Sequence, residues 1–354
     1  MKKSTYKVIG VMSGTSLDGI DLIYVEFDIN TQWDYSIIAA ETLEYTDAWR
    51  TKLAAALDFS DDELKGLNQE YTRYLAGVIS TFIKKHNIKE LDAVCSHGHT
   101  IKHEPENNYT LQIGNLPVLA NLIGHKVVCD FRVQDVKLGG QGAPLVPIGD
   151  RILFSDYKYC LNLGGFANIS TETASGRMAY DICAVNTVMN PYAKKLGKDY
   201  DKGGAIAATG KHNQKMLYEL NNLDFYRKDP PKSLGIEWVN KEIFPLLKEF
   251  ENDLPSVLRT YCEHIAMQVA NAVDGKEDSR VLVTGGGAFN DFLIEQFREF
   301  SNVEFVIPSK ELIDFKEALI FALLGVLKLR GEVNVLKSVT GASKDHSSGL
   351  IFNP

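Results

Sequence analysis

The sequence predicts an α/β chain built as two similar lobes. Apolar runs of strand length alternate with runs of helical period through all 354 residues. Two glycine-bearing hairpin turns recur about 150 residues apart, and a third glycine-rich turn leads from a strand into a helix. A chain of this length with 45% hydrophobic residues exceeds what one core usually holds. Residues 1–135 with 331–354 are assigned to the first lobe and residues 136–330 to the second.

Taken in order, strands are expected at 6–12, 20–28, 35–41, 92–96, 126–130, 158–163, 166–171, 177–181, 280–284 and 303–307. The pair Ser60 and Glu63 reads as a capping box. It opens a helix whose stripe is Leu67, Tyr71, Tyr74, Leu75, Val78, Ile79, Phe82 and Ile83. A second long helix carries Leu258, Tyr261, Cys262, Ile265, Ala266, Val269 and Val273 on one face. The segment 315–329 is apolar nearly all round, as a helix buried between layers would be.

Composition excludes several classes. A net charge of −8 and no basic stripe argue against a nucleic-acid partner. Five scattered cysteines without a C-x-x-C pair suit reduced thiols in the cytoplasm. The longest apolar run, "ALIFALLGVL", is far shorter than the roughly 20 residues that span a bilayer. The expectation is a cytoplasmic protein with no membrane partner.

Chemistry is concentrated in the three glycine turns: Ser13-Gly14-Thr15-Ser16-Leu17-Asp18-Gly19, "CLNLGGFANIS" with Gly164 and Gly165, and "VLVTGGGAFND" with Gly285, Gly286, Gly287 and Asn290. Glycine admits an anion close to main-chain N–H groups, and the hydroxyls of Ser13, Thr15 and Ser16 would add donors. Asp18 would hold Mg²⁺ through water or cap its turn. No Walker lysine follows any of these glycines, and "GGGAFN" has asparagine where the dinucleotide fingerprint ends in glycine. Two lobes facing each other across a nucleotide in a central cleft fit this set, each offering one hairpin to the phosphates. Plain turns are the alternative at each site.

The stretches "GVMSGTSLDGID", "CSHGHTIKHEP", "LQIGN", "CDFRVQD", "GGQGAPLVP", "NLGGFANI", "PPKSLGIEW", "TGGGAFN" and "VTGA" resemble, in order and spacing, the anhydro-N-acetylmuramic acid kinases. The resemblance runs from Ile9 to about Gly349. It implies a duplicated actin-like, ribonuclease H-like two-lobe ATPase fold with ATP and Mg²⁺ as cofactors. The implied reaction adds water across the 1,6-anhydro bridge of 1,6-anhydro-N-acetylmuramic acid and phosphorylates O6, a step of cell-wall recycling. The implied partner is this small anhydrosugar, and a homodimer is left open.

The resemblance assigns Asp181 as the base that readies the water, with capping of the next helix as its plainer role. It assigns Arg132 to the lactyl carboxylate, a surface pair with Asp130 or Asp135 being the alternative. His97, Asn186, Gly140 and Gln141 would line the sugar, and the three turns the ATP. The family's D-T-G-P-G-N reads Asp181-Ile182-Cys183-Ala184-Val185-Asn186 here. That departure keeps open a related anhydrosugar or a non-catalytic binding protein of the same fold, and an actin- or Hsp70-like ATPase is the third class. The histidines 97, 99 and 103 lack an evident fourth zinc ligand. Cys183 reads as a small hydrophobe, and Asp150 as a metal-side acid or a helix cap.

Overall fold

The computed structural model describes residues 3–14, 17–273, 275 and 279–354. The chain divides into two compact units, Met1–Leu153 with Phe315–Pro354, and Phe154–Asp314.

In the first unit β1 (Thr5–Ser13), β2 (Gly19–Ile29) and β3 (Trp33–Glu44) form an antiparallel meander. Next to β1 run β4 (Ala93–Glu104) and then β6 (Val127–Cys129), both parallel to it. The short β5 (Tyr109–Ile113) pairs with β4. The helix Asp61–Lys85 begins at Ser60 with both halves of the capping box formed, and buries Leu67, Tyr71, Leu75, Val78, Ile79 and Phe82 as its spacing predicts. The helix Lys310–Arg330 buries Ala318 through Leu324 almost completely. Its packing on β1 needs Gly10, where a Cβ would stand 2.1 Å from the Ala318 carbonyl oxygen.

The second unit repeats the plan. β7 (Tyr159–Leu163), β8 (Phe166–Thr173) and β9 (Gly176–Ala184) make an antiparallel meander, and β10 (Arg280–Thr284) and β11 (Glu304–Val306) follow in parallel beside β7. The spatial order β3-β2-β1-β4-β6 is thus matched by β9-β8-β7-β10-β11. This is the duplication of an actin-like fold. The helix Leu254–Ala272 supplies Leu258, Tyr261, Cys262, Ile265, Ala266 and Val269 to the second core.

Two features depart from the sequence reading. The C-terminal β12 (Leu350–Phe352), like β5, is absent from the expected strands, being only three residues with two exposed side chains. Residues 136–153 and 315–330, expected with the second lobe, cluster with the first. Contacts with the first lobe explain this: Gln141 N–H donates to the Thr340 carbonyl at 2.8 Å, Arg132 donates to the Gly142 carbonyl at 2.7 Å, and Ala318 packs on Gly10, while Lys316 and Asp150 join the two segments to each other at 2.8 Å. That pairing also replaces both roles expected of Asp150.

Candidate active site

In the first unit β1 delivers Ser13, which is buried, into a chain of polar side chains. Its hydroxyl lies 2.6 Å from Tyr45 Oη and 2.8 Å from His99 Nδ1, and Tyr45 Oη lies 2.5 Å from Tyr71 Oη. Burial pushes Tyr45 up to about 12 and pulls His99 down to about 4, so every member is neutral near pH 7. Run from Tyr71 to Tyr45 to Ser13 to His99 Nδ1, each hydroxyl proton meets an acceptor; run the other way, His99 Nδ1–H donates to Ser13 and the Tyr71 hydroxyl comes back to Ser13, so the His99 tautomer sets the direction.

Thr15 and Ser16 lie outside the described residues. Gly14 accepts the Leu17 N–H at 3.4 Å, and Leu17, not a glycine, takes the left-handed conformation with φ 61°. Asp18 is exposed, and Gly19 is buried at the start of β2 opposite Glu44.

Arg132 follows β6. Its Nε donates to His97 Nε2 at 2.8 Å and its Nη1 to the Gly142 carbonyl at 2.7 Å. Since guanidinium only donates, the His97 proton sits on Nδ1 and is donated to the Gly98 carbonyl at 2.9 Å. Burial, and next the Arg132 charge, hold His97 well below its usual range. Burial brings Arg132 down to about 10 against the opposing charges of Glu317 and Asp135. Among the described residues neither Asp130 nor Asp135 makes the alternative surface ion pair with Arg132. Nη2 of Arg132 makes no hydrogen bond among the described residues, so it can receive an anion.

Fully buried Asp135 staples the neighbouring loop. It takes the Gly142 N–H and the Thr340 hydroxyl, each at 2.7 Å, while its main-chain carbonyl takes the Gly140 N–H at 2.9 Å. Gln141 is left exposed at the loop tip.

In the second unit Asp181 lies on β9, the sheet edge. Pairing runs Ala167 with Cys183 and then Asn168 with Asp181, so Ile182 is an extra, bulged residue. The bulge turns Asp181 onto the face that carries Asn168, its cross-strand partner, and Asn162, partner of Asn168. Asp181 is half-buried, burial pushes its carboxyl up, and Oδ2 accepts the Leu234 N–H at 2.9 Å. No other hydrogen bond reaches its carboxylate among the described residues. Cys183 is fully buried and its thiol is pushed up, which disarms it as a nucleophile.

The tight turn Gly164–Gly165 is stitched to the next helix. N–H groups of Val185 and Thr187 donate to the Gly165 carbonyl, and that of Asn186 to the Gly164 carbonyl. The Asn186 side-chain amide also donates to the Leu163 and Gly164 carbonyls. Gly285 closes on the same turn with φ 81°, where a Cβ would stand 2.7 Å from Asn162 Oδ1. Gly286 and Gly287 follow it, and Asn290 caps the helix Asp291–Phe300 by accepting the Leu293 N–H at 3.0 Å. Gly164, Gly165, Asn186 and Gly285 thus come together in one place, whereas the Asn290 side chain is occupied as a cap.

Sequence reasoning missed Tyr45, Tyr71, Asp135, Glu317, Asn162 and Asn168. The two asparagines had a readable signal: both stand in "NLGGFANI", three residues to either side of Gly165, and so face each other once the hairpin closes. Among the described residues no group of three His, Cys, Asp or Glu is arranged to hold a metal.

Residues 6–354 match the family described as anhydro-N-acetylmuramic acid kinase. An anhydro-N-acetylmuramic acid kinase of Mannheimia succiniciproducens is 34% identical, the match covering 99% of this chain and all of the relative. One of Sulfurimonas denitrificans is 31% identical over 97% of this chain and 98% of its own. Among solved structures, the activator of the 2-hydroxyisocaproyl-CoA dehydratase from Clostridium difficile with bound ADPNP matches at 13% identity. That match covers 92% of this chain and 96% of the other with a TM-score of 0.45, which decides nothing about function. The chain belongs to the anhydro-N-acetylmuramic acid kinase family.

Proposed function

We propose that this kinase opens the 1,6-anhydro bridge of 1,6-anhydro-N-acetylmuramic acid with water and transfers the γ-phosphoryl of ATP to O6. The products are N-acetylmuramic acid 6-phosphate and ADP, and the setting is cytoplasmic. The carrying observation is Asp181: a half-buried carboxylate on a bulged edge strand, pushed up by burial toward the pH at which a general base works well, with one oxygen anchored and the other unbonded.

Water attacks C1 from the face opposite the bridge. One of its protons passes to Asp181 and its oxygen becomes the C1 hydroxyl. The C1–O6 bond breaks as O6 bonds the γ-phosphorus, and ADP leaves. Arg132 receives the lactyl carboxylate on its unused donors, and His97 orients the guanidinium through Nε2. Gln141 with Gly140 completes the sugar contacts, and Asn186 acts through the turn it tethers. Main-chain groups of Gly14, Gly19, Gly164, Gly165, Gly285, Gly286 and Gly287, with Thr15 and Ser16, receive ATP. The exposed Asp18 carboxylate would hold Mg²⁺, which when bound neutralises phosphate charge.

The packing of the altered segment supports the same sugar. Ile182, Cys183, Ala184 and Val185 are all buried, so the departure changes the core and not the groups on the surface.

The test is turnover in ¹⁸O water with ATP, Mg²⁺ and the anhydrosugar, followed by mass spectrometry. Heavy oxygen at C1 of a 6-phosphorylated sugar is expected; ADP with unchanged sugar would overturn the reading. Asp181→Asn is expected to lower kcat by roughly 10²- to 10⁴-fold with ATP affinity unchanged.

A further inference from the structure

The edge strand β9 has an open side, and "KDPPKSLG" at 228–235 covers it at Asp181. The Asp181 N–H donates to the Lys232 carbonyl at 2.9 Å, and the Leu234 N–H donates to Asp181 Oδ2 at 2.9 Å. Main chain of one short loop therefore holds Asp181 at both its backbone and its carboxylate.

The loop has few anchors of its own. Pro230 and Pro231 have no N–H to give, and Lys228, Asp229, Pro230, Pro231 and Ser233 are exposed. Lys232 is the exception. Its ammonium donates to the carbonyls of Lys228 at 3.0 Å and Phe225 at 3.2 Å, and stands 4.8 Å from the centre of the Phe225 ring. No carboxylate lies within ion-pair distance of it among the described residues. A lysine kept for solubility would point to water; this one is part-buried and spends its donors tying the loop back on the segment Asp224–Arg227.

We propose that Lys232 is a positioning residue for the reaction: it fixes the loop whose Leu234 N–H anchors and polarises the Asp181 carboxylate. The inference rests on Asp181 being the base. The loop acts on Asp181 in two ways: its cover desolvates the carboxyl and favours the neutral form, and its Leu234 N–H favours the charged form, burial being the larger, so releasing the loop lowers the proton affinity of Asp181.

The experiment compares wild type, Lys232→Met and Lys232→Arg by kinetics and by ¹³C NMR titration of aspartate carboxyls, with Asp181 assigned from Asp181→Asn. In Lys232→Met the Asp181 titration and the acidic limb of kcat/KM are expected to move down together, toward the ordinary aspartate range, as the loop uncovers the carboxyl. KM for ATP should hold, and Lys232→Arg, which keeps the charge and the ring contact, should restore most of the shift. If Lys232→Met does not fold, the smaller shift in Lys232→Arg carries the test. An Asp181 titration that stays put in the folded variants overturns the proposal. A titration that moves while the acidic limb does not keeps Lys232 as the anchor and sinks Asp181 as the base.

Discussion

The two glycine hairpins occupy the same place in the two halves of the fold, yet are held by different chemistry. The β1–β2 turn leans on side chains, with Ser13 bonded to Tyr45 and His99 and, through Tyr45, to Tyr71. The β7–β8 turn leans on main chain, with the carbonyls of Gly164 and Gly165 taking the first N–H groups of the following helical segment. Duplicated topology thus conserves where a turn lies and not what stiffens it. The first support contains an ionisable imidazole and the second does not, so acid should separate them.

The largest effect is expected in the main-chain turn. Gly285→Ala places a Cβ 2.7 Å from Asn162 Oδ1 and 2.8 Å from the Leu163 carbonyl carbon, at φ 81°. Denaturant unfolding should report a loss of about 3 kcal/mol. At Gly286 the nearest atom to such a Cβ is 4.0 Å away, and alanine there should cost under about 0.5 kcal/mol. Equal losses at the two positions would break the claim that the turn is sterically closed at Gly285.

Acid comes next. His99 is lowered to about 4 by burial, so its stabilising contribution is complete above its unfolded value near 6.5 and is lost as pH falls toward 4. The difference amounts to roughly 3 kcal/mol, read as unfolding free energy of wild type against His99→Gln across that interval. Glutamine can still bond the Ser13 hydroxyl but does not titrate. Parallel curves for the two proteins would mean that His99 does not titrate as placed.

The smallest effects test the order of the hydroxyl chain. Tyr45→Phe removes the middle hydroxyl, which bonds both Ser13 and Tyr71, and should cost about 2 kcal/mol, whereas Tyr71→Phe deletes only a terminal hydroxyl and should cost about 1 kcal/mol. Equal losses in the two variants would show that Tyr45 is not the middle member.

Most of the fold was legible because its signals are local. The capping box at Ser60, the stripe from Leu67 to Phe82 and the apolar run in Lys310–Arg330 each depend on neighbours in sequence. The site was legible in part. The glycine turns stand out by residue type and Asp181 only through the family resemblance, but the tie between Ser13 and His99 spans 86 residues and that between Asp135 and Thr340 spans 205. No periodicity reports such pairings. The bulge at Ile182 was hidden too, because an extra residue in one strand is visible only against its partner. The boundary of the first unit was hidden for the same reason: the ties of Gln141 to Thr340 and of Ala318 to Gly10 join residues about 200 and 300 positions apart.

That boundary bears on how the protein is made. The second unit is one unbroken stretch, Phe154–Asp314, while the first waits for Phe315–Pro354. On a ribosome the later-starting half can therefore close first, at synthesis rates of about 5–20 residues per second. During that interval β1, β4 and β6 have emerged without the helix Lys310–Arg330 that covers Gly10, or the β12 strand that seals the β6 edge. The nascent chain then shows a bare apolar sheet to whatever chaperone is nearest, and the last forty residues act as its closing piece.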